Sequence, residues 1–175
     1  YITFEKVNKF TVNPIMISEK NKSILLSHSL LLYTGIQRFA IDVESDKIKN
    51  IYKINKNLDI ISKIKNKALN VFKSNVIDIK EIGYLLDLSW KEKKKLSTKV
   101  SIKIVDDAYD IAINNGALGG KLLGAGGGGF MFFIAPPETH SRIIEKLTGF
   151  IKIDFNFDTQ GSETIFNSNK VLKSC

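Results

Sequence analysis

Residues 119–130 read Gly-Gly-Lys-Leu-Leu-Gly-Ala-Gly-Gly-Gly-Gly-Phe, and the positions from Gly124 to Gly129 carry only glycine or alanine. Glycine is costly to order and brings no side chain to pack. Such a cluster is tolerated only where the backbone takes unusual dihedral angles or approaches another group closely. The apolar runs on either side, 118–123 and 130–135, predict two strands that this glycine loop joins.

The residues after the glycines exclude two common phosphate-binding loops. A dinucleotide-binding fingerprint needs a helix there, whereas residues 130–135 form a strand-like apolar run. A Walker A loop ends in Gly-Lys-Ser/Thr, whereas Gly129 is followed by Phe130. The loop could still offer backbone N–H groups to an anion, pack tightly against another loop, or form a structural bend. Six small residues in succession disfavour the simple bend.

The elements before the glycine loop are predicted to be one strand and several helices. Residues 24–33 are nearly all apolar, which predicts a central strand buried on both faces. A helix is expected to begin within 36–52, and apolar residues recur at helical spacing over 58–72. Two more helices are predicted, one capped by Asp78 and one over about 101–115.

The elements after the loop complete an α+β pattern. A helix is predicted from Pro137 to Gly149, and residues 151–157 alternate as a strand with one wet face. A short strand is also expected at 164–166. From residue 24 onward the order is β-α-β-β-α-β with extra helices in the first crossover. This order is typical of a ferredoxin-like sandwich.

Composition and charge narrow the functional classes. The chain has 175 residues and a net charge of +8, and its basic residues are lysines except for Arg38 and Arg142. Nucleic-acid binders usually mix arginine with aromatic residues in their basic patches, so a solvated lysine surface is the favoured interpretation. The single cysteine, Cys175, permits no internal disulfide, and no apolar run reaches membrane-spanning length. We therefore expect a cytoplasmic protein with no nucleic-acid or membrane partner.

Three further features of the sequence are expected to have structural rather than catalytic roles. His28 stands alone in an apolar run and is expected to be a satisfied strand residue rather than a ligand. The charged residues 91–95 are expected to form a solvated helix end. Residues 1–17 predict two short strands, and because a β-like pattern begins at Tyr1, we expect the chain to be a piece of a longer protein.

The segment Gly119–Phe130 resembles the third motif of the GHMP kinases, the family of galacto-, homoserine-, mevalonate- and phosphomevalonate kinases. Its small residues, strand context and apolar flanks all match. Further segments are most similar to the sugar-kinase branch that phosphorylates D-glycero-D-manno-heptose 7-phosphate. These segments are Leu30-Leu-Leu-Tyr-Thr-Gly-Ile36, Ser89-Trp-Lys-Glu-Lys-Lys94 with Leu96-Ser97, Gly116-Ala-Leu-Gly-Gly-Lys121 and Gln160-Gly-Ser162.

The resemblance implies a two-domain kinase that uses ATP and Mg²⁺. Residues 1–17 would be the last strands of its N-terminal domain, and 18–175 would be its C-terminal domain. The catalytic residues and the nucleotide-binding loop are expected in the N-terminal domain, with no catalytic or metal-binding residue in this chain. Two sets of site residues are implied. The triphosphate site would be shaped by Gly124, Ala125, Gly126, Gly127, Gly128 and Gly129, with Lys121 adding positive charge, and the sugar pocket would be lined by Thr34 and Gly35.

The resemblance also implies the reaction. Mg-ATP would donate its γ-phosphate to the anomeric hydroxyl of heptose 7-phosphate, for the synthesis of nucleotide-activated heptose and surface polysaccharide. Residues 1–175 alone are expected to be inactive. A galactokinase-like or other small-molecule kinase of the same family is the first alternative. A non-catalytic RNA- or effector-binding ferredoxin-like module is the second, although no basic residues alternate with Phe130, Phe132 and Phe133.

Overall fold

The computed structural model describes residues 1–5, 9–37 and 51–158. A two-stranded sheet pairs β1 (Ile2–Phe4) with β2 (Phe10–Val12). A four-stranded antiparallel sheet has the order β4-β5-β3-β6. Its strands are β3 (Ser29–Tyr33), β4 (Gly119–Leu122), β5 (Phe130–Ile134) and β6 (Ile151–Lys152). The helices are α1 (Glu19–Ser27), α2 (Ile51–Phe72), α3 (Ile79–Lys94), α4 (Lys103–Asn114) and α5 (His140–Lys146).

The mixed architecture confirms the predicted α+β class. Strand β3 is followed by helices, by the β4–β5 hairpin, by a short 3₁₀ turn with α5, and by β6. The register places Leu31 opposite Phe132, and Lys121 opposite the same phenylalanine on its other side. None of the helices in the described ranges is long and apolar enough to span a membrane.

The two faces of the four-stranded sheet pack against different sets of helices. On the first face, Leu30, Leu32, Met131 and Phe133 are buried in the main core, which α4 and Trp90 of α3 complete. On the second face, Phe132 and Ile134 pack in a smaller cluster, with apolar residues from α1, α2 and α3. Because side chains alternate along a strand, neighbours in sequence such as Lys121 and Leu122 serve opposite faces.

The prediction of one strand over 24–33 is wrong in its first part. Residues up to Ser27 belong to α1, and the strand begins only at Ser29. The helix begins after Ser18, whose hydroxyl accepts a hydrogen bond from the Asn21 N–H at 3.2 Å. Asn21 is buried, and its side chain donates to the Asn75 carbonyl at 3.2 Å. This long-range contact anchors a helix that the apolar pattern alone cannot distinguish from a strand.

His28 lies at the C-terminal cap of α1 and not within a strand. Its ring nitrogen Nδ1 is 2.8 Å from the carbonyl oxygen of Ile24 in the same helix. The imidazole is therefore satisfied, as expected, although not within a strand. Further along, Asp78 caps α3 as predicted, accepting from the Glu81 N–H at 3.0 Å. Of the strand predicted over 151–157, β6 forms only Ile151–Lys152, and the Ile153 N–H still donates to the Leu31 carbonyl at 2.9 Å. The strand predicted at 164–166 and most of 36–52 lie outside the described residues.

Helix α3 and strand β4 approach each other through two glycines. A Cβ built on Gly119 would lie 1.9 Å from the Gly83 carbonyl oxygen, and one on Gly83 would lie 2.5 Å from Leu118 Cβ. Nearby, Tyr109 donates a hydrogen bond to Asp87, and burial raises the pKa of the Tyr109 phenol far above its ordinary value. The phenol therefore stays protonated and holds α4 to α3.

We expect Gly119→Ala to lower the free energy of unfolding by roughly 1–3 kcal/mol, because the added methyl group forces α3 away from β4. Urea unfolding followed by circular dichroism measures this change. Lys80→Ala, at an exposed site on α3, is the control and is expected to change stability by less than about 0.5 kcal/mol. Equal midpoints for Gly119→Ala and the unchanged chain would contradict the close approach.

Candidate functional site

The glycine loop connects β4 to β5, which pair as the two strands of a hairpin. The Leu123 N–H donates to the Phe130 carbonyl at 2.8 Å and closes the base of the loop. Gly126 and Gly127 have φ angles of 127° and 78°, which side chains rarely permit. The prediction that these glycines serve unusual backbone geometry is therefore confirmed.

The loop also rests directly on two other backbone segments. The Gly127 N–H donates to the Val100 carbonyl at 3.0 Å, and the Gly129 N–H donates to the Ile36 carbonyl at 2.9 Å. A Cβ on Gly126 would lie 2.7 Å from the Val100 oxygen, and one on Gly128 would lie 2.6 Å from the Ile36 oxygen. No larger residue fits these two positions without moving the backbone.

The amide groups of the loop divide into two sets. Gly127 and Gly129 donate inward, to Val100 and Ile36. Within the described part of the chain, the N–H groups of Gly124, Gly126 and Gly128 donate to no acceptor. Gly124 is exposed, and Gly126 and Gly128 are partly exposed. The loop can thus bind an anion through one set of amides while the other set holds its shape.

Thr34 and Gly35, predicted to line a substrate pocket, lie beside the loop at the end of β3. The Thr34 N–H and hydroxyl both donate to the Gly129 carbonyl at 2.9 Å, and the hydroxyl accepts from Ile36 N–H at 3.2 Å. Thr34 is buried, so its side chain braces the loop. Gly35 has a φ of 73° and open space around its Cα. The structure therefore brings these two residues and the glycines together.

Lys93 is a loop-bracing residue that the sequence analysis missed. It was grouped with a solvated helix end, but its Nζ donates to the carbonyls of Leu122 and Gly124 at 3.1 and 2.5 Å. The ammonium also lies 5.9 Å from the centre of the Trp90 ring. Because these carbonyls belong to β4 and the loop rather than to the last turn of the helix that carries Lys93, no local sequence pattern marks the contact.

Lys121 lies apart from the glycine loop. It projects from the second face of the sheet into a groove between α2 and α3, which no residue of the loop lines. The side chain is partly buried, and desolvation lowers the pKa of its ammonium below the ordinary value. The structure thus does not group Lys121 with the loop residues, although they are close in sequence.

Among residues 1–5, 9–37 and 51–158, no group of three histidine, cysteine or carboxylate side chains is placed to hold a metal ion. The loop itself offers backbone N–H groups, which are donors suited to an anion. What this part of the chain can do chemically is therefore to place N–H donors around a negatively charged group, with Lys93 and Thr34 fixing their direction.

Alanine substitutions in the loop are expected to distinguish a steric clash with a neighbouring carbonyl group from the strain of a positive φ angle. We expect Gly126→Ala and Gly128→Ala each to lower the free energy of unfolding by roughly 1–3 kcal/mol, because each methyl group would collide with a carbonyl oxygen. Gly124→Ala, with no atom within 4 Å of its Cβ, is the control and is expected to cost about 1 kcal/mol through its φ alone. Urea denaturation measures all three. Equal losses for the three variants would contradict the packing of the loop on Val100 and Ile36.

Lys121→Met is expected to stabilise the chain near pH 7, because it removes a partly buried charge. As pH rises through the lowered pKa of Lys121 towards the ordinary lysine value, the unfolded chain binds more protons, so the original chain gains stability. The advantage of the variant should therefore shrink between about pH 7 and about pH 10. Denaturant midpoints at both pH values measure it, with exposed Lys146→Met as control. A destabilised Lys121→Met variant would contradict the prediction.

Comparison with known proteins identifies the family of this chain. Residues 66–152, which include the glycine loop, match the model of the family described as GHMP kinases C terminal. The D-glycero-alpha-D-manno-heptose 7-phosphate kinase of Campylobacter jejuni is 33% identical over 165 residues, which are 92% of this chain and 48% of that protein. The chain thus spans about half the length of this curated relative.

Solved structures show the same fold. A mevalonate kinase of L. major in complex with R-mevalonate matches 84% of this chain and 46% of its own, with a TM-score of 0.65 and 18% identity. A D-glycero-D-manno-heptose 1-phosphate kinase of Bacteroides thetaiotaomicron matches 86% of this chain and 39% of its own, with a TM-score of 0.53 and 20% identity. The family model and these similarities confirm the resemblance seen in the sequence, and the chain carries the C-terminal domain of the GHMP kinase family.

Proposed function

We propose that this chain is the C-terminal half of an ATP-dependent kinase that phosphorylates a heptose 7-phosphate. The observation that carries the proposal is the glycine loop, whose outward amides can face an anion while Val100, Ile36 and Thr34 hold it. The choice of sugar is supported by 33% identity to the Campylobacter enzyme over most of the chain. The product would serve nucleotide-activated heptose synthesis in the cytoplasm.

The loop would contribute to phosphoryl transfer by shaping the triphosphate site. Such transfer depends mainly on positioning and on electrostatic stabilisation, and backbone N–H groups supply both without bulk. In the proposal, Gly124 to Gly129 face the phosphates, and Gly35 faces the sugar. Thr34 would act mainly by bracing the loop, because its hydroxyl is already bonded to Gly129 and Ile36. ATP would bring Mg²⁺, which we expect to be held by groups outside this chain.

The first strands support a second domain as partner. Four side chains of the β1–β2 hairpin are exposed although they are apolar: Ile2 by 55%, Phe4 by 82%, Phe10 by 65% and Val12 by 58%. A contiguous apolar surface of this kind marks an interface. We propose that residues 1–17 belong to an N-terminal domain that carries the catalytic residues, and that residues 18–175 form the C-terminal domain.

An RNA-binding module is not supported by the geometry. Such a module stacks bases on exposed aromatic rings of its central strands. Phe133 is buried in the main core, Phe132 is packed in the smaller cluster, and Phe130 lies 5.1 Å from the Tyr33 ring, between ring centres. Of these three rings only Phe130 is exposed, by 41%, so the strands do not offer the row of exposed rings on which such a module stacks bases.

The test is a kinase assay on the protein at its full natural length. With Mg-ATP, we expect heptose 7-phosphate to be phosphorylated in preference to galactose and mevalonate, with the product identified by ³¹P NMR. Gly126→Ala should lower kcat/KM at least about tenfold, because misplaced amides stabilise the transferring phosphoryl group less well. Gly149→Ala, at a glycine outside the loop with a φ of 90° and no atom within 4 Å of the added Cβ, is the control and should retain most activity.

Two results would overturn the proposal. One is the absence of phosphorylation of any sugar phosphate by the full-length protein. The other is turnover of ATP and heptose 7-phosphate by residues 1–175 alone, which we expect to be inactive because the catalytic residues are expected elsewhere. Preference for galactose or mevalonate would keep the family and change the substrate.

A further inference from the structure

A second concave site lies on the opposite side of the sheet from the main core. It is a groove of about 610 Å³ between α2, α3 and the second sheet face. Cavities of this size commonly hold small organic ligands. Its walls are mostly aliphatic and aromatic, and include Leu58, Ile61 and Ala68 of α2, Leu86 of α3, and Phe132 of β5.

The few polar groups in this groove are donors. Lys65 and Lys121 are its charged lining residues, and Ser62 and Ser89 add hydroxyl groups, whereas no carboxylate of the described residues lines it. Among the described residues, no carboxylate lies within ion-pair distance of the Lys121 ammonium. A partly buried cation without a counter-charge is costly, so an anion placed beside it gains an unusually strong interaction.

The groove is separate from the glycine loop. Neither the loop residues nor Thr34 and Gly35 line it. Lys121 stands opposite Phe132, in the middle of the β4–β5 hairpin, whereas the loop begins beyond the end of β4. A ligand in this groove would therefore not occupy the proposed triphosphate site.

We propose that this groove binds an amphipathic monoanion, a hydrocarbon chain that carries one carboxylate. The carboxylate pairs with the Lys121 ammonium and accepts a second hydrogen bond from the hydroxyl of Ser89, which lines the groove from α3. The chain lies along the aliphatic wall of α2 and over Phe132. The Lys65 ammonium already lies over the Tyr1 ring, 5.3 Å from its centre, so Lys121 is the ammonium that matches one negative charge. The burial of methylene groups contributes the rest of the binding free energy.

Decanoate is the probe, titrated calorimetrically into the 175-residue chain below its micelle concentration. We expect one binding site, at least about tenfold weaker binding of the neutral decanol, and no binding of acetate. Lys121→Met should lower the affinity for decanoate about tenfold and leave that for decanol unchanged. Because this variant is expected to be at least as stable as the original chain, a loss of binding would not reflect unfolding. Lys146→Met is the matched control and should bind decanoate normally.

Isoleucine methyl NMR spectra locate the ligand. Decanoate should shift the methyl signals of Ile61, in the groove, and leave those of Ile2, on the exposed β1–β2 hairpin, unchanged. Shifts at Ile2 alone, equal binding of decanol, unaltered binding by Lys121→Met, or no binding would each overturn the proposal. Binding to residues 1–175 that disappears in the full-length protein would assign the groove to a domain contact, and would also overturn it. None of these outcomes depends on kinase activity.

Discussion

The candidate site depends on the contact between the glycine loop and the carbonyl groups of Val100 and Ile36. Two amides of the loop, at Gly127 and Gly129, donate to these carbonyls, and the positions before them, Gly126 and Gly128, have no room for a Cβ. One constraint thus accounts for both the hydrogen bonds and the composition. The N–H groups of Gly126 and Gly128 have no acceptor in the described part of the chain.

Much of this could be predicted from local patterns. The strands beside the loop, the Asp78 cap and the α+β class follow from periodicity, capping residues and glycine content. The start of β3 could not be predicted in the same way. Ile24 and Leu25 are as apolar as Leu30 and Leu31, and the helix that contains them is anchored by a hydrogen bond from Asn21 to the Asn75 carbonyl, more than 50 positions away. A single sequence does not show such a contact.

The site residues were predictable in proportion to how local their role is. The glycines can be recognised in the sequence, because no larger residue fits so close to the Val100 and Ile36 carbonyls. Lys93 cannot, since it differs from its neighbours Lys91 and Lys94 only in facing the carbonyls of Leu122 and Gly124. Lys121 was grouped with the loop because it is three residues away in sequence. Strand alternation and the turn after Leu122 instead place its ammonium on the second face, across from Phe132.

The loop therefore has the properties of half a site. Its donors are oriented and partly exposed, but the described residues around it offer no cluster of metal ligands, and Thr34 is already bonded within the fold. Phosphoryl transfer also needs a positioned metal ion and an activated hydroxyl group. A backbone surface that is rigid before the ligand arrives is well suited to complete a site whose reactive groups lie elsewhere, because it adds electrostatic stabilisation without reorganisation.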